Sequence, residues 1–335
     1  MRWVNGTGRM SPISTSRAVF SGSSGTVTVS GQVGAAGLSF QSGGYLITGG
    51  TIALASGSSR PSIDVAAGIT GTVEAAISGT GGLAKTGAGT LAFSRPLGIS
   101  GTVEVSAGRL AVSGSAALPQ AMLSVSAGAS VMLPDDPLYS LRVAGLAIDD
   151  AGGRLDVGPG HVTIAGGGIT QAALVADLAA GRGTGYWDGT SGLVSRTAAA
   201  TTAAGQNRGL GWIADVDGSF TVGFAAPGDT NIDGMIDILD AADVLSSGRF
   251  DSGAASTWTE GDFNYDGMVD VLDVADSLGT GLFDAGGYVT AGLAAGPVAA
   301  VPEPSSGWPG VAGLVAVVAR ACHGVRSAGR RNRRP

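Results

Sequence analysis

Gly71-Thr-Val-Glu-Ala-Ala-Ile77, Gly89-Thr-Leu-Ala-Phe93, Gly101-Thr-Val-Glu-Val105 and Gly108-Arg-Leu-Ala-Val112 share one pattern, in which a glycine opens a short run of alternating character. A period of two sends successive side chains to opposite faces, so each run reads as a half-buried strand. The inward candidates Leu91, Leu110, Val131 and Leu155 recur at spacings of 19, 21 and 24 residues. That interval is close to one rung of a parallel β-helix, in which each rung buries its apolar face only against its neighbours. A β-sandwich built from hairpins is the competing architecture. The expected fold is mainly β: a right-handed parallel β-helix over residues 18–168, followed by a small α-helical module with two ion-binding loops.

Composition agrees with tight, repeated turns. The chain has 335 residues, of which 59 are Gly, about two and a half times the usual ~7%, and charged residues make up only 13%. With 44% apolar residues it can bury a sizeable core. The net charge of −7 conceals two opposed regions. Between Asp229 and Asp284 stand thirteen acids and one base, Arg249, whereas six arginines follow Ala319. The acidic region argues against a nucleic-acid partner. Cys322 is the single cysteine and His161 and His323 the only histidines, which excludes an internal disulfide framework and a Cys or His zinc site.

The acidic region contains two nearly identical cassettes 33 residues apart, Gly228-Asp-Thr-Asn-Ile-Asp-Gly-Met-Ile-Asp-Ile-Leu-Asp240 and Gly261-Asp-Phe-Asn-Tyr-Asp-Gly-Met-Val-Asp-Val-Leu-Asp273. A twelve-residue calcium loop takes side-chain oxygens from positions 1, 3, 5, 9 and 12 and a backbone carbonyl from position 7, with Gly at 6 for the sharp turn. The first cassette offers Asp229, Asn231, Asp233, the carbonyl of Met235, Asp237 and Asp240; the second offers Asp262, Asn264, Asp266, the carbonyl of Met268, Asp270 and Asp273. Gly234 and Gly267 occupy the turn. Four carboxylates within twelve residues repel one another unless a divalent cation holds them, and two calcium ions are expected. The β-branched Ile236 and Val269 at position 8 suggest two loops paired back to back.

Position 12 is Asp where helix-loop-helix EF-hands carry Glu. With helix-like runs over Ile238 to Leu245 and Val271 to Leu278, and none before the first loop, residues 226–285 resemble a type I dockerin. That resemblance implies a calcium-folded module that docks onto a cohesin-like partner in polysaccharide-degrading assemblies. Trp258-Thr-Glu-Gly-Asp-Phe-Asn-Tyr-Asp-Gly267 further resembles dockerin-like repeats of planctomycete surface proteins.

Gly81-Gly-Leu-Ala-Lys-Thr-Gly-Ala-Gly-Thr-Leu91 carries a second likeness, covering about residues 18–115. It resembles the autotransporter-associated β-strand repeat, a family that implies a β-helical stalk at a bacterial surface. A third lies at the end. Val301-Pro302-Glu303-Pro304, an apolar stretch of 15 residues to Ala319 and the basic cluster Arg320, Arg326, Arg330, Arg331, Arg333 and Arg334 resemble a PEP-CTERM sorting signal. That implies an exosortase-like processing enzyme and a transient membrane contact, with the positive charge left in the cytoplasm. The apolar stretch is shorter than the ~20 residues that span a bilayer.

The remaining segments are residues 1–17, an irregular N-terminus without the apolar core of a secretory signal; 169–225, a capping helix over Thr170 to Leu178, a loop at 195–208 and a final strand near Phe220 to Phe224; and 286–300, a linker before the tail at 301–335. The missing signal suggests that the natural start lies upstream of Met1. The helix would use Ile169, Ala173, Leu174 and Leu178 as its apolar face. No catalytic constellation emerges. Asp64, Glu74, Glu104, Asp135 and Asp136 are scattered, Asp149 and Asp150 would face opposite sides of a strand, and neither a Gly-x-Ser-x-Gly elbow nor a helix-borne phosphate loop is present. The sequence reads as a non-enzymatic, exported surface protein, with a non-catalytic scaffold of a polysaccharide-degrading assembly as the alternative.

Overall fold

In the computed structural model, which describes residues 2–5, 8–10, 16–55, 59–113 and 118–289, the alternating runs stack as rungs. One sheet joins Arg17–Phe20, Gly37–Phe40, Ser62–Val65, Leu83–Thr86, Gly101–Val105, Leu118–Val125, Ser140–Ile148 and His161–Ile164, each parallel to the next. The second joins Gly25–Ala35, Tyr45–Leu54, Thr70–Val73, Thr90–Phe93, Arg109–Val112, Ser130–Met132, Arg154–Asp156 and Gly192–Val194, again parallel. Each rung adds a strand to both sheets as the chain advances, and two rungs carry a further short strand, Ala76–Gly79 and Leu97–Ile99, which pair parallel with each other, the first also with Thr51–Ala53. This is a parallel β-solenoid, and it forms one compact unit with the described residues that follow it up to Val289.

The register puts the expected inward column where the spacing requires it. Leu91 lies beside Leu110, Leu110 beside Val131 and Val131 beside Leu155, all fully buried. The column continues to Leu193 after a rung lengthened by helix α1, Gln171–Arg182. At its other end Gly71 takes the place next to Leu91, because a Cβ there would meet the ring of Phe40 at 2.7 Å.

The glycine-rich motif marks a corner of the rung. A Cβ on Gly87 would meet the Val65 carbonyl at 2.2 Å, and Gly87 also holds a left-handed φ of +75°. A Cβ on Gly89 would meet the Ala66 carbonyl at 2.2 Å. Only bare backbone lets the stacked corners approach this closely. Lys85, in the middle of the motif, points inward and is fully buried. Its ammonium donates to the carbonyls of Thr86 at 3.1 Å, Gly87 at 2.6 Å and, on the next rung, Ala107 at 2.8 Å. Burial pushes the Lys85 group down to about 8, with the Asp64 carboxylate pulling the other way. Three carbonyls match three ammonium donors, so the motif lysine rivets successive corners. Lys85→Met keeps the stem and orphans those carbonyls. It should cost about 2–4 kcal/mol in urea unfolding of the whole chain; an unchanged midpoint would exclude the rivet.

The solenoid ends in a cap. Thr170 N-caps α1, whose buried residues are Leu174, Asp177, Leu178 and Gly181; Ala173, expected on that face, is exposed, since it sits in the first turn at the edge of the stripe those four residues define. The expected loop at 195–208 is partly a second helix, α2 (Arg196–Ala203), capped by the buried Ser195 hydroxyl. Its Ala- and Thr-rich sequence has a weak apolar face, and the cap decides it. Beyond His161–Ile164 the sheet changes sense. Phe220–Ala225 pairs antiparallel with it and with Gly209–Ala214, a strand that the glycine-rich sequence hid. The hairpin closes the sheet's terminal edge. Asp149 and Asp150 lie beyond the end of Ser140–Ile148, in a turn where the Asp149 carboxylate accepts from Ala151 N–H at 2.8 Å, not on a strand.

Candidate metal centre

Both acidic cassettes form sharply turned loops, each followed by a helix: α3 (Ile238–Ser247) and α4 (Val271–Gly279). Their internal wiring is almost the same. Asn231 Oδ1 accepts from Asp233 N–H at 2.9 Å, and Asn264 Oδ1 from Asp266 N–H at 2.7 Å. Asp233 and Asp266 accept from Met235 and Met268 N–H, both at 2.9 Å. Asp237 and Asp270 N-cap the helices, while Asp240 and Asp273 reach back to the N–H groups of Asp237 and Asp270, completing two capping boxes. Ile232 and Tyr265, at position 4, both hold positive φ, 53° and 64°, a conformation that β-branched Ile232 adopts only under constraint.

The back-to-back pairing expected from Ile236 and Val269 is not formed. Ile236 bridges Phe283, after α4, and Val269 bridges Phe250, after α3. Each loop is therefore stitched to the segment that follows the other loop's helix. Position 8 is β-branched to suit that crossed bridge, with Asp251 N–H donating to Val269 and Asp284 N–H to Ile236, both at 2.8 Å.

Asp229, Asp240, Asp262 and Asp273, at positions 1 and 12, are only 0%, 2%, 4% and 1% exposed. Burial raises Asp229 and Asp262 to about 7, and neighbouring carboxylates add to it: Asp240 and Asp233 in the first loop, Asp273 and Asp266 in the second. The Tyr288 hydroxyl and then the Gly234 N–H oppose the shift at Asp229, and the N–H groups of Gly267 and Tyr265 oppose it at Asp262. Among the described residues no three Asp, Glu, His or Cys side chains are arranged as they stand to hold a metal ion. Their oxygens are turned onto loop N–H groups and helix caps. Yet the donor set is all oxygen, as a hard cation requires, and Asp262 Oδ1 is buried without any hydrogen-bond partner. A calcium ion would satisfy such a buried, unpaired carboxylate oxygen. Asp229, Asn231, Asp233, the Met235 carbonyl, Asp237 and Asp240 would hold one ion, and Asp262, Asn264, Asp266, the Met268 carbonyl, Asp270 and Asp273 the other.

Aromatic residues that the motif reading left aside fix these loops to the solenoid. Trp258, 1% exposed, donates from Nε1 to the Asp229 carbonyl at 2.6 Å and packs edge-on against Phe263 with centroids 5.0 Å apart. A Cβ on Gly211 would meet its indole at 2.7 Å, so the cap hairpin has a glycine beneath the ring. The Tyr265 hydroxyl donates to the Leu210 carbonyl, and its ring meets Trp187 at 6.3 Å. Arg182 of α1 pairs with Asp276 of α4 at 3.4 Å. Tyr288, in a segment read as linker, donates to Asp229 Oδ2. A tryptophan just before loop two was the available signal; nothing nearby in sequence marked Tyr288.

Part of the chain is similar to a bacterial adhesin. The relative is the adhesin BmaC autotransporter of Brucella suis biovar 1 (strain 1330), 34% identical over 155 residues, which are 45% of this chain and 4% of the relative. The chain thus matches a small fraction of a much longer protein. No family model matches, and no solved structure matches. Among the described residues no helix is long and apolar enough to cross a membrane. Val301, Pro302, Glu303 and Pro304 and the arginine cluster lie outside the described residues.

Proposed function

We propose that this chain is a non-enzymatic surface adhesion protein, in which the β-solenoid is a stalk and residues 226–285 are a calcium-binding, dockerin-like docking end. The observation that carries the reading is the exposed face of the two loop helices. Ile238, Leu239 and Leu245 on α3 recur, 33 positions on, as Val271, Leu272 and Leu278 on α4, and all six are exposed. Their loops and aromatic residues face the solenoid cap, so the helices present a doubled apolar surface outward. Single exposed apolar residues are ordinary, but two matching sets on one module fit a protein partner. A cohesin-like domain is the partner the dockerin resemblance implies, and similarity to an adhesin supports the surface setting. The tail at 301–335 would act as a PEP-CTERM-like sorting signal for an exosortase-like enzyme, through a transient membrane contact.

The experiment compares the full chain with Leu239→Asp/Leu272→Asp, both carried on the exposed face. Binding to envelope preparations should require calcium and fall at least tenfold in the double variant, while circular dichroism stays unchanged. Equal binding by both proteins, or binding indifferent to chelator, would contradict the docking role. Sorting is read by intact mass: the surface form should end near Pro304, and a surface form that retains Pro335 would contradict cleavage.

A further inference from the structure

We propose that the two loops are unequal, that the loop from Asp262 to Asp273 takes a divalent cation first, and that the Tyr288 phenol gates the loop from Asp229 to Asp240. This deepens the calcium reading above and rests on it. The loops match in sequence and wiring, and they differ at position 1. In the second loop Asp262 Oδ2 accepts from Gly267 N–H at 3.0 Å, and Oδ1 is buried with no partner. In the first loop both oxygens of Asp229 are engaged. Oδ1 accepts from Asp233 N–H at 3.2 Å, while Oδ2 accepts from Gly234 N–H at 3.0 Å and from the Tyr288 hydroxyl. A carboxylate oxygen has two acceptor directions, so Oδ2 is saturated. A cation entering the second loop finds a free oxygen in place; one entering the first must displace a hydrogen bond.

Tyr288 is held as a gate would be. Its hydroxyl also accepts from Ala226 N–H at 2.8 Å, its ring lies 5.1 Å from the Arg208 guanidinium, and its N–H donates to the Gly234 carbonyl at 2.9 Å. It belongs to a strap that includes the Phe283 bridge to Ile236 and Val289 over Gly234. The second loop has a matching strap, with Phe250 bridging Val269 and Ser256 N–H donating to the Gly267 carbonyl at 3.0 Å, but that strap brings no hydroxyl onto Asp262, and a Cβ on Gly267 would meet open space. Filling the first loop therefore frees the phenol and loosens the strap, which connects the calcium module to everything that follows it in the chain.

The test is terbium titration of the full chain, read by aromatic-sensitised luminescence, because terbium takes the same oxygen ligands as calcium. Two steps separated by at least tenfold in affinity are expected. Tyr288→Phe keeps the ring over Arg208 and removes the donor; it should tighten the weaker step at least fivefold and leave the tighter one unchanged. In the wild type, chymotryptic cleavage after Tyr288 should accelerate over the second step only. Two steps of equal affinity, or a weaker step indifferent to Tyr288→Phe with no change in cleavage, would overturn the gate while leaving the cation sites standing. Absence of any terbium signal would overturn the sites and the gate together.

Discussion

Leu110→Asp should destabilise the stalk by roughly 3 kcal/mol or more, while Arg109→Asp, one residue earlier, should change stability by no more than about 0.5 kcal/mol. Leu110 is fully buried between Leu91 and Val131 on the neighbouring rungs. A carboxylate there has neither water nor a cation, and a solenoid cannot relieve it sideways because each rung contacts only its neighbours. Arg109 faces out and is exposed, in register with Thr90 and Ser130. Denaturant unfolding followed by far-ultraviolet circular dichroism measures both variants. Equal tolerance at the two positions would contradict the register.

Calcium is expected to have the larger effect on the C-terminal end. A site filled at a hundred times its dissociation constant adds about 2.7 kcal/mol, so two sites add roughly 5 kcal/mol if the unfolded chain binds none. Chelation should lower the unfolding midpoint accordingly. The pH dependence in chelator has a definite sign. Asp229 and Asp262 are raised from the ordinary carboxylate value to about 7 in the folded chain, chiefly by burial. Between about pH 4 and 7 the folded state then holds protons that the unfolded state has lost, so stability is highest at the acid end and declines as pH rises through 7. Calcium should abolish that decline. Urea titrations across this range, with chelator and with calcium, check it, and a chelated protein that gains stability from pH 4 to 7 would contradict the buried, unpaired carboxylates.

The solenoid was legible because its signal is periodic. Leu91, Leu110, Val131 and Leu155 could be aligned from spacing alone, and the structure stacks them so. The column's continuation to Leu193 was not legible, because α1 lengthens the rung between them and breaks the interval. Helices α3 and α4 were placed closely from their runs, since Asp237 and Asp270 cap them locally. What failed was long-range pairing. Ile236 and Val269 reveal a preference for extended backbone but not their partners, and the crossed bridges to Phe283 and Phe250 depend on how the whole module folds over itself. Lys85 stood in a recognisable motif, yet a lysine in an alternating strand reads as solvent-facing until the corner carbonyls that surround it are in place. Tyr288 lay beyond any local pattern, 59 residues from the carboxylate it touches.

The central claim is that twin acidic loops at the end of a β-solenoid bind calcium. Because the loops are buttressed by Trp258, Tyr265 and the cap hairpin, the whole chain is the right material. Equilibrium dialysis against about 1 mM free calcium, within reach of even weak extracellular sites, should find two ions per chain, falling to one when Asp262 is replaced by Ala. A chain that retains no calcium under these conditions would contradict the account.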